Sequence, residues 1–193
     1  MLTDFFADYD FPEDSDIKII IDSASEKINQ NLKWIKKIKE ILDDEKKIND
    51  QSYINLKNRI ENTKNILITL LSNINKNEII GYGASTKGNI VLNHCNINDR
   101  HLKYICDANP YKFNRYTPGS NIKIISKAEM RKKRPKYLLV LIWSFRSEVI
   151  KQEIDFLKKG GKLIFHLPML HIIDKQNYKL FINKDFKDLS YNY

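Results

Sequence analysis

The sequence predicts a three-layer α/β domain with a mainly parallel five-stranded sheet, preceded by a helical hairpin. From residue 78 onward, short apolar segments alternate with amphipathic segments, a pattern typical of strands joined by crossover helices. The nearly continuous apolar run from Tyr137 to Trp143 is typical of a central parallel strand, which is buried on both faces. Upstream of residue 78, apolar residues recur at steps of three and four, which indicates helices.

The chain before the sheet divides into two predicted segments. Residues 1–22 contain seven acidic residues and one lysine, and we interpret them as an acidic arm. Residues 23–75 carry two apolar stripes separated by a polar break at 43–50, which predicts a helical hairpin. The first stripe consists of Ile28, Leu32, Ile35, Ile38 and Leu42, and the second of Tyr53, Leu56, Ile60, Leu67, Leu70, Leu71 and Ile74.

The α/β part contains five predicted strands and three predicted helices. The strands are expected at 78–82, 102–107, 122–125, 137–143 and 162–167, and the helices at 87–96, 127–134 and 147–159. Ser126 and Glu129 have the spacing of a capping box, which fixes the start of the second helix. Two consecutive glycines at 160–161 predict the end of the third helix.

A glycine-rich turn after the first strand is the strongest functional signal. Gly81, Gly83 and Gly88 lie within eight positions, with Lys87 among them, between an apolar strand and a helix. Such a turn directs backbone N–H groups and the positive end of a helix toward an anion, so we predict a phosphate-bearing ligand. The glycine spacing differs from that of dinucleotide-binding and Walker loops. A tight turn with a purely structural role is the alternative.

Polar residues also follow the other predicted strands. Ligands of parallel sheets bind beyond the carboxyl ends of the strands. Asp107 ends the second strand, at the position where a carboxylate commonly holds a ribose diol. Trp143 and His166 end the fourth and fifth strands, and we expect the histidine to be packed rather than catalytic.

Composition and charge limit the classes of partner. The chain has 193 residues and a net charge of +9, which suits anionic ligands but fits a biased genomic base composition equally well. No apolar run is long enough for a membrane span, and two cysteines provide no disulfide framework, so we expect a cytoplasmic protein that binds no membrane. The four histidines lack metal-ligand spacing, so no metal is predicted. The basic cluster at 131–134 lacks interleaved aromatics, so nucleic acid is not an expected partner.

Five ordered motifs between residues 78 and 173 together resemble the C-terminal domain of S-adenosylmethionine-dependent sugar C-methyltransferases, which act on nucleotide-linked deoxysugars. The matching segments are Gly-Tyr-Gly-Ala-x-x-Lys-Gly-Asn at 81–89, Leu-x-x-Cys at 92–95, Asp-x-Asn-Pro-x-Lys leading to Tyr-x-Pro-Gly at 107–119, Trp-x-Phe-Arg at 143–146, and Gly-Gly-Lys-x-Ile-x-x-x-Pro at 160–168. The family's zinc-binding and methyl-donor domains have no counterpart in this sequence. His166 stands where proline is common in the family.

The resemblance implies a Rossmann-like domain over 76–173, followed by a tail at 174–193. It implies that the domain binds a nucleotide-diphosphate sugar, while S-adenosylmethionine and the catalytic base belong to a separate domain or chain, so no catalytic residue is assigned here. The alternatives are an NAD(P)- or other nucleotide-binding enzyme and a non-catalytic interaction protein. The substrate-binding residues that the resemblance implies are Gly81, Tyr82, Gly83, Ala84, Ser85, Lys87, Gly88, Asn89, Asp107, Asn109, Lys112, Tyr116, Pro118, Gly119, Trp143 and Arg146.

Overall fold

A computed structural model describes residues 14–184 of the protein. Most of the predicted acidic arm and residues 185–193 of the predicted tail therefore lie outside the described residues. The chain divides into two compact units, Met1–Leu56 and Lys57–Tyr193. The boundary between them falls inside a helix.

The first unit is helical. Helix α1 spans Asp14–Glu45, and the first turns of helix α2, Asp50–Ser72, complete the unit. Both predicted helices are thus present, but α1 begins nine residues before the predicted start at residue 23. Asp50 lies in the first turn of α2, where its negative charge interacts favourably with the positive end of the helix dipole.

The second unit contains a six-stranded sheet in the order β3-β2-β1-β4-β5-β6. The strands are β1 (Ile79–Tyr82), β2 (Tyr104–Asp107), β3 (Lys123–Ser126), β4 (Tyr137–Val140), β5 (Lys162–Phe165) and β6 (His171–Ile173). The first five pair in parallel, and β6 pairs with β5 in the antiparallel sense. The helices that follow α2 are α3 (Thr86–His94), α4 (Lys127–Lys133), α5 (Arg146–Gln152), α6 (Ile154–Lys158) and α7 (Tyr178–Phe181).

Two apolar cores lie on opposite faces of the sheet, which confirms the predicted three layers. Side chains alternate along each strand, so Ile79 joins one core and Ile80 joins the other. The first core includes Leu67 of α2 and Leu92 of α3, and the second includes residues of α4, α5 and α6.

Three details of the sheet and its helices differ from the prediction, the first being the four-residue helix α7 in the segment expected to be a tail. The sixth strand, β6, has only three residues, which is too short for an alternating pattern to show. The single helix expected over 147–159 is two helices, α5 and α6, separated at Glu153. The Glu153 side chain is buried in the second core and bonded to residues of other elements, so tertiary contacts decide the break.

The predicted helix-capping signals are confirmed. Ser126 Oγ accepts a hydrogen bond from the Glu129 amide at 3.1 Å, and the Glu129 carboxylate accepts one from the Ser126 amide at 3.1 Å. This exchange lowers the pKa of Glu129, because the backbone N–H of Ser126 favours the charged carboxylate. Gly160 follows α6 with a φ of +92°, the left-handed geometry expected after a helix.

Candidate functional site

The candidate site lies where the strand order reverses, between β1 and β4. Strands β2 and β3 lie on one side of β1, and β4 and β5 lie on the other. The connections that leave β1 and β4 therefore run in opposite directions, and a crevice opens between them at the carboxyl edge. The glycine turn of 83–88 follows β1 at this point, as the sequence predicts.

Close packing explains the first two glycines. Gly83 has a φ of +90°, and its amide donates a hydrogen bond to the Cys106 carbonyl at 2.8 Å. A Cβ atom on Gly83 would lie 2.6 Å from Ile142 Cγ2, and one on Gly81 would lie 2.6 Å from Ile105 Cγ1. Any larger residue would force these side chains apart, so both glycines are needed for the turn to enter the sheet edge.

Asp107 fastens the turn to the end of β2. Its Oδ2 atom accepts hydrogen bonds from the Ala84 amide at 2.8 Å and from Lys112 Nζ at 3.3 Å. Lys112 Nζ also donates to the Ala84 carbonyl at 2.9 Å. The other carboxylate oxygen, Oδ1, accepts from the Asn109 amide at 2.8 Å. Both oxygens of Asp107 are therefore engaged by the protein, and Asp107 with Lys112 shapes the turn.

The start of α3 leaves two backbone donors at the turn. Ser85 caps the helix by accepting from the Gly88 amide at 3.0 Å. The amides of Thr86 and Lys87 have no hydrogen-bond partner among the described residues, as expected for the first positions of a helix. The Lys87 side chain is exposed beside them. This end of α3 therefore combines free N–H groups, a helix dipole and a cation.

Asn89, one turn further along α3, is unusual among the residues near the turn. Its backbone amide donates to the Ser85 carbonyl at 2.9 Å. Its side-chain oxygen Oδ1 is buried and has no hydrogen-bond partner within the described part of the chain. A buried acceptor without a donor costs free energy.

Tyr82 occupies the opposite face of the sheet from the two glycines that flank it. Its side chain is 2% exposed in the second core, and its hydroxyl donates to Glu153 at 3.0 Å. Glu153 in turn forms an ion pair with Arg131 of α4. Burial and the Glu153 carboxylate raise the pKa of Tyr82. Tyr82, the last residue of β1, thus fixes the end of this strand through its contacts in the second core.

The segment 116–119 lies at the other end of α3 from the turn. Asn93, in the last turn of α3, donates through Nδ2 to the Pro118 carbonyl at 3.1 Å. A Cβ atom on Gly119 would collide with Asn93 Oδ1, and Gly119 has a φ of +76°. The packing explains these residues as a support for α3. These contacts place Pro118 and Gly119 beside Asn93, whereas Tyr116 is exposed and forms an isolated bridge with Lys123.

Residues after β4 and β5 contact each other at the same edge of the sheet. Trp143 and His166 form an edge-on ring contact with centroids 4.9 Å apart. His166 is 1% exposed, and burial lowers its pKa to about 4, so it is a neutral packed side chain at neutral pH. Arg146 is buried, donates to the Lys184 carbonyl at 2.5 Å and lies over the Phe181 ring. These contacts of Arg146 are with the C-terminal segment.

Two residues at this edge were not singled out by the sequence. Tyr111 is 85% exposed immediately before Lys112, and Phe145 is 56% exposed after Trp143. An exposed aromatic ring can pack against the ring of a ligand. Phe145 is a specified residue of the Trp-x-Phe-Arg motif, which was the available signal, whereas Tyr111 occupies a variable position of its motif and carried no such signal.

The described residues offer neither a metal centre nor a membrane span. Within residues 14–184, no group of three or more His, Cys, Asp or Glu side chains is placed to hold a metal ion. No helix in that range is both long and apolar enough to cross a bilayer. Burial raises the pKa of the Cys106 thiol to about 12 and also raises that of Cys95, so both are neutral thiols.

Comparison with known proteins agrees with this architecture. The family described as "C-methyltransferase C-terminal domain" matches residues 16–168. C-methyltransferase NovU from Streptomyces niveus is 32% identical over 99 residues, which are 51% of this chain and 24% of NovU. The chain therefore corresponds to about a quarter of that relative's length. Because the family match extends over most of the chain and over the glycine turn, the chain belongs to the C-methyltransferase C-terminal domain family.

Proposed function

We propose that this domain holds a nucleotide-diphosphate sugar for C-methylation in deoxysugar biosynthesis. The observation that carries the proposal is the start of α3 at the switch point of the sheet, with two unpartnered amides and the exposed Lys87. A diphosphate carries negative charge and several acceptor oxygens, which match these donors in both charge and hydrogen bonding.

The groups around the turn suit the uncharged parts of such a ligand. Asn89 Oδ1, which is buried and unpartnered in the described residues, would accept a hydroxyl or a base N–H once its side chain turned toward the ligand. Asn109 uses its Oδ1 atom to accept from the Tyr111 amide at 3.0 Å, which leaves its side-chain NH₂ group for a hydroxyl of the ligand. Trp143 and Tyr111 provide partly and largely exposed rings against which a base or sugar can pack.

The methyl donor belongs elsewhere in this proposal. Asp107 is the acidic residue that would have to bind the ribose hydroxyls of S-adenosylmethionine or NAD. Both of its carboxylate oxygens already accept hydrogen bonds from the protein. One glycine turn of this kind is available within residues 14–184, and the proposal assigns it to the sugar nucleotide. S-adenosylmethionine and the catalytic groups then come from another domain or from a separate methyltransferase chain, and the assembly works in the cytoplasm.

A thermal-shift panel tests the proposal. The full chain is melted with dTDP-, UDP-, GDP- and CDP-sugars, with NAD and NADP, and with S-adenosylmethionine. A ligand at a hundred times its dissociation constant adds about 2.7 kcal/mol to the unfolding free energy, which shifts the melting temperature by several degrees. We expect a shift with one class of nucleotide-sugar.

Two lysine variants locate the response. Lys87→Ala should abolish the shift, because Lys87 stands beside the free amides of α3. Lys103→Ala removes another exposed lysine, immediately before β2 and therefore at the opposite edge of the sheet, and should leave the shift unchanged. Stabilisation by NAD or NADP that is lost in K87A would favour a nucleotide-binding enzyme instead. A response that is insensitive to K87A, or none at all, would contradict the proposed site.

A further inference from the structure

Helix α1 presents a long apolar face that the described part of the chain does not cover. Every side chain from Ile17 to Gln51 is exposed. Of the 22 large apolar side chains that are exposed in residues 17–184, 16 lie between Ile17 and Ile60. A helix obtains most of its stability from packing an apolar face, and the many isoleucines of α1 lower its intrinsic helix propensity. The face therefore needs a partner.

The apolar face follows a seven-residue repeat. Mostly apolar residues recur along α1 at alternating intervals of four and three through four heptads. This spacing is typical of a helix that packs against another helix rather than against a sheet. The first position of the repeat, a, is held by Ile21, Ile28, Ile35 and Leu42, and the fourth, d, by Ile17, Ala24, Asn31 and Ile38. Six of these eight side chains are large and apolar, and each is between 42% and 58% exposed.

Charge decides between a lipid surface and a helical partner. Helix α1 has eight acidic residues and six lysines, a net charge of −2, which disfavours anionic lipid. The charges are also segregated along the helix. Residues 27–39 contain five lysines and no acidic residue, and we call them the lysine block. Two parallel copies in register would set these lysine blocks side by side. An antiparallel copy places the block opposite the segment that contains Asp22 and Glu26.

We propose that α1 pairs with α1 of a second copy of this chain, as an antiparallel two-helix interface. When two antiparallel copies cross at the midpoint between residues 29 and 30, each a position of one helix lies opposite a d position of the other. Ile17 then faces Leu42 of the second copy, Ile21 faces Ile38, and Ala24 faces Ile35. Two symmetry-related polar layers each place Asn31 of one copy beside Ile28 of the other, and one buried asparagine per helix commonly fixes register in such interfaces.

The apolar area reaches the lower limit of a biological interface. Ile20, Leu32, Trp34 and Ile41 flank the six large heptad side chains, which gives ten apolar side chains that are each about half exposed. A fully exposed isoleucine or leucine side chain presents on the order of 100 Å² of apolar surface. The two copies together would therefore bury roughly 1,000 Å², the lower limit expected of a biological interface, before polar edges are added.

The mass of the full chain in solution tests the proposal. Light scattering after size exclusion, at micromolar protein concentration, should give twice the monomer mass of 22.8 kDa. The double variant Ile28→Asp with Ile35→Asp should return the mass to that of the monomer. The control variant Ser23→Asp with Gln30→Asp adds the same two charges, also seven residues apart, at positions that are neither a nor d. This control should remain dimeric.

Cysteine cross-linking tests the orientation. Under mild oxidation, the paired variant Ile17→Cys with Leu42→Cys should form a covalent dimer, whereas Leu42→Cys alone should not, because antiparallel helices keep the two copies of residue 42 apart. Cross-linking by Leu42→Cys alone would overturn the antiparallel arrangement. A monomeric wild-type chain would overturn the whole proposal, and binding of that monomer to phosphatidylglycerol vesicles would assign the face to lipid instead.

Discussion

The ion pair between the buried Glu153 and the partly exposed Arg131 permits a quantitative prediction. Glu153 has a side chain that is 1% exposed, while its partner Arg131 is 44% exposed. Arg131→Met removes the cation and leaves a buried carboxylate whose remaining donor is the hydroxyl of Tyr82, at 3.0 Å. Loss of one partner from a fully buried pair costs about 3–5 kcal/mol. Because water already screens the exposed arginine, we expect R131M to lower the unfolding free energy by about 2–3 kcal/mol.

A second substitution tests whether the uncompensated charge causes this loss. Glu153→Gln retains an oxygen that accepts from Tyr82 and carries no charge. In the wild-type background its cost should be about 1 kcal/mol, because Arg131 can turn to water. In the R131M background it should restore stability, so that the double variant matches E153Q alone. The expected coupling energy therefore equals the cost of R131M alone, about 2–3 kcal/mol.

Urea unfolding at neutral pH, followed by circular dichroism, measures all four proteins. Lys132→Met is the matched control, because Lys132 is the exposed neighbour of Arg131 on α4 and should change stability little. The reasoning would be refuted if R131M were no more destabilising than K132M. It would also be refuted if the costs of R131M and E153Q simply added in the double variant.

Three further predictions concern the turn and the sheet edge. Gly83→Ala, which combines a positive φ with a Cβ contact of 2.6 Å, should lower the unfolding free energy by about 2 kcal/mol or more in urea titrations. Asp107→Ala leaves the buried Ala84 amide without an acceptor and should cost about 2 kcal/mol in the same assay. His166→Gln should reduce the loss of stability on acidification, measured as melting temperature from pH 7.5 to 4.5. Burial lowers the folded-state pKa of His166 to about 4, below the ordinary value of about 6.5. The neutral histidine therefore contributes its full share of the unfolding free energy above pH 6.5. Up to about 3 kcal/mol of this share is lost as the pH falls toward 4.

Matched controls separate these causes from general damage. Gly160 has a φ of +92°, and no atom lies within 4 Å of the position that a Cβ would take, so Gly160→Ala reports backbone strain alone and should cost less than Gly83→Ala. Asp155→Ala removes from α6 a carboxylate that makes no hydrogen bond or ion pair within residues 14–184 and should be nearly neutral. The exposed His94 supplies the control H94Q. Equal effects of a variant and its control would contradict the corresponding prediction.

Much of the fold could be predicted because its signals are local. The alternation of strands and helices, the capping box at Ser126 and the glycine after α6 each depend on a few neighbouring residues. The split at Glu153 could not be predicted, since the pattern of 147–159 is helical throughout. The carboxylate there is bonded to a tyrosine 71 positions away in the chain, and no local pattern encodes that contact.

The candidate site divides in the same way. The sequence by itself determined that a glycine turn joins β1 to α3, because a positive φ and the absence of a Cβ are properties that glycine combines. Only the tertiary structure decided which neighbours surround that turn. It engaged both oxygens of Asp107, put Tyr82 on the opposite face, and placed Gly119 beside Asn93 at the far end of α3. Hydrogen bonds and close packing between distant residues depend on the positions of whole elements, which a linear motif does not contain.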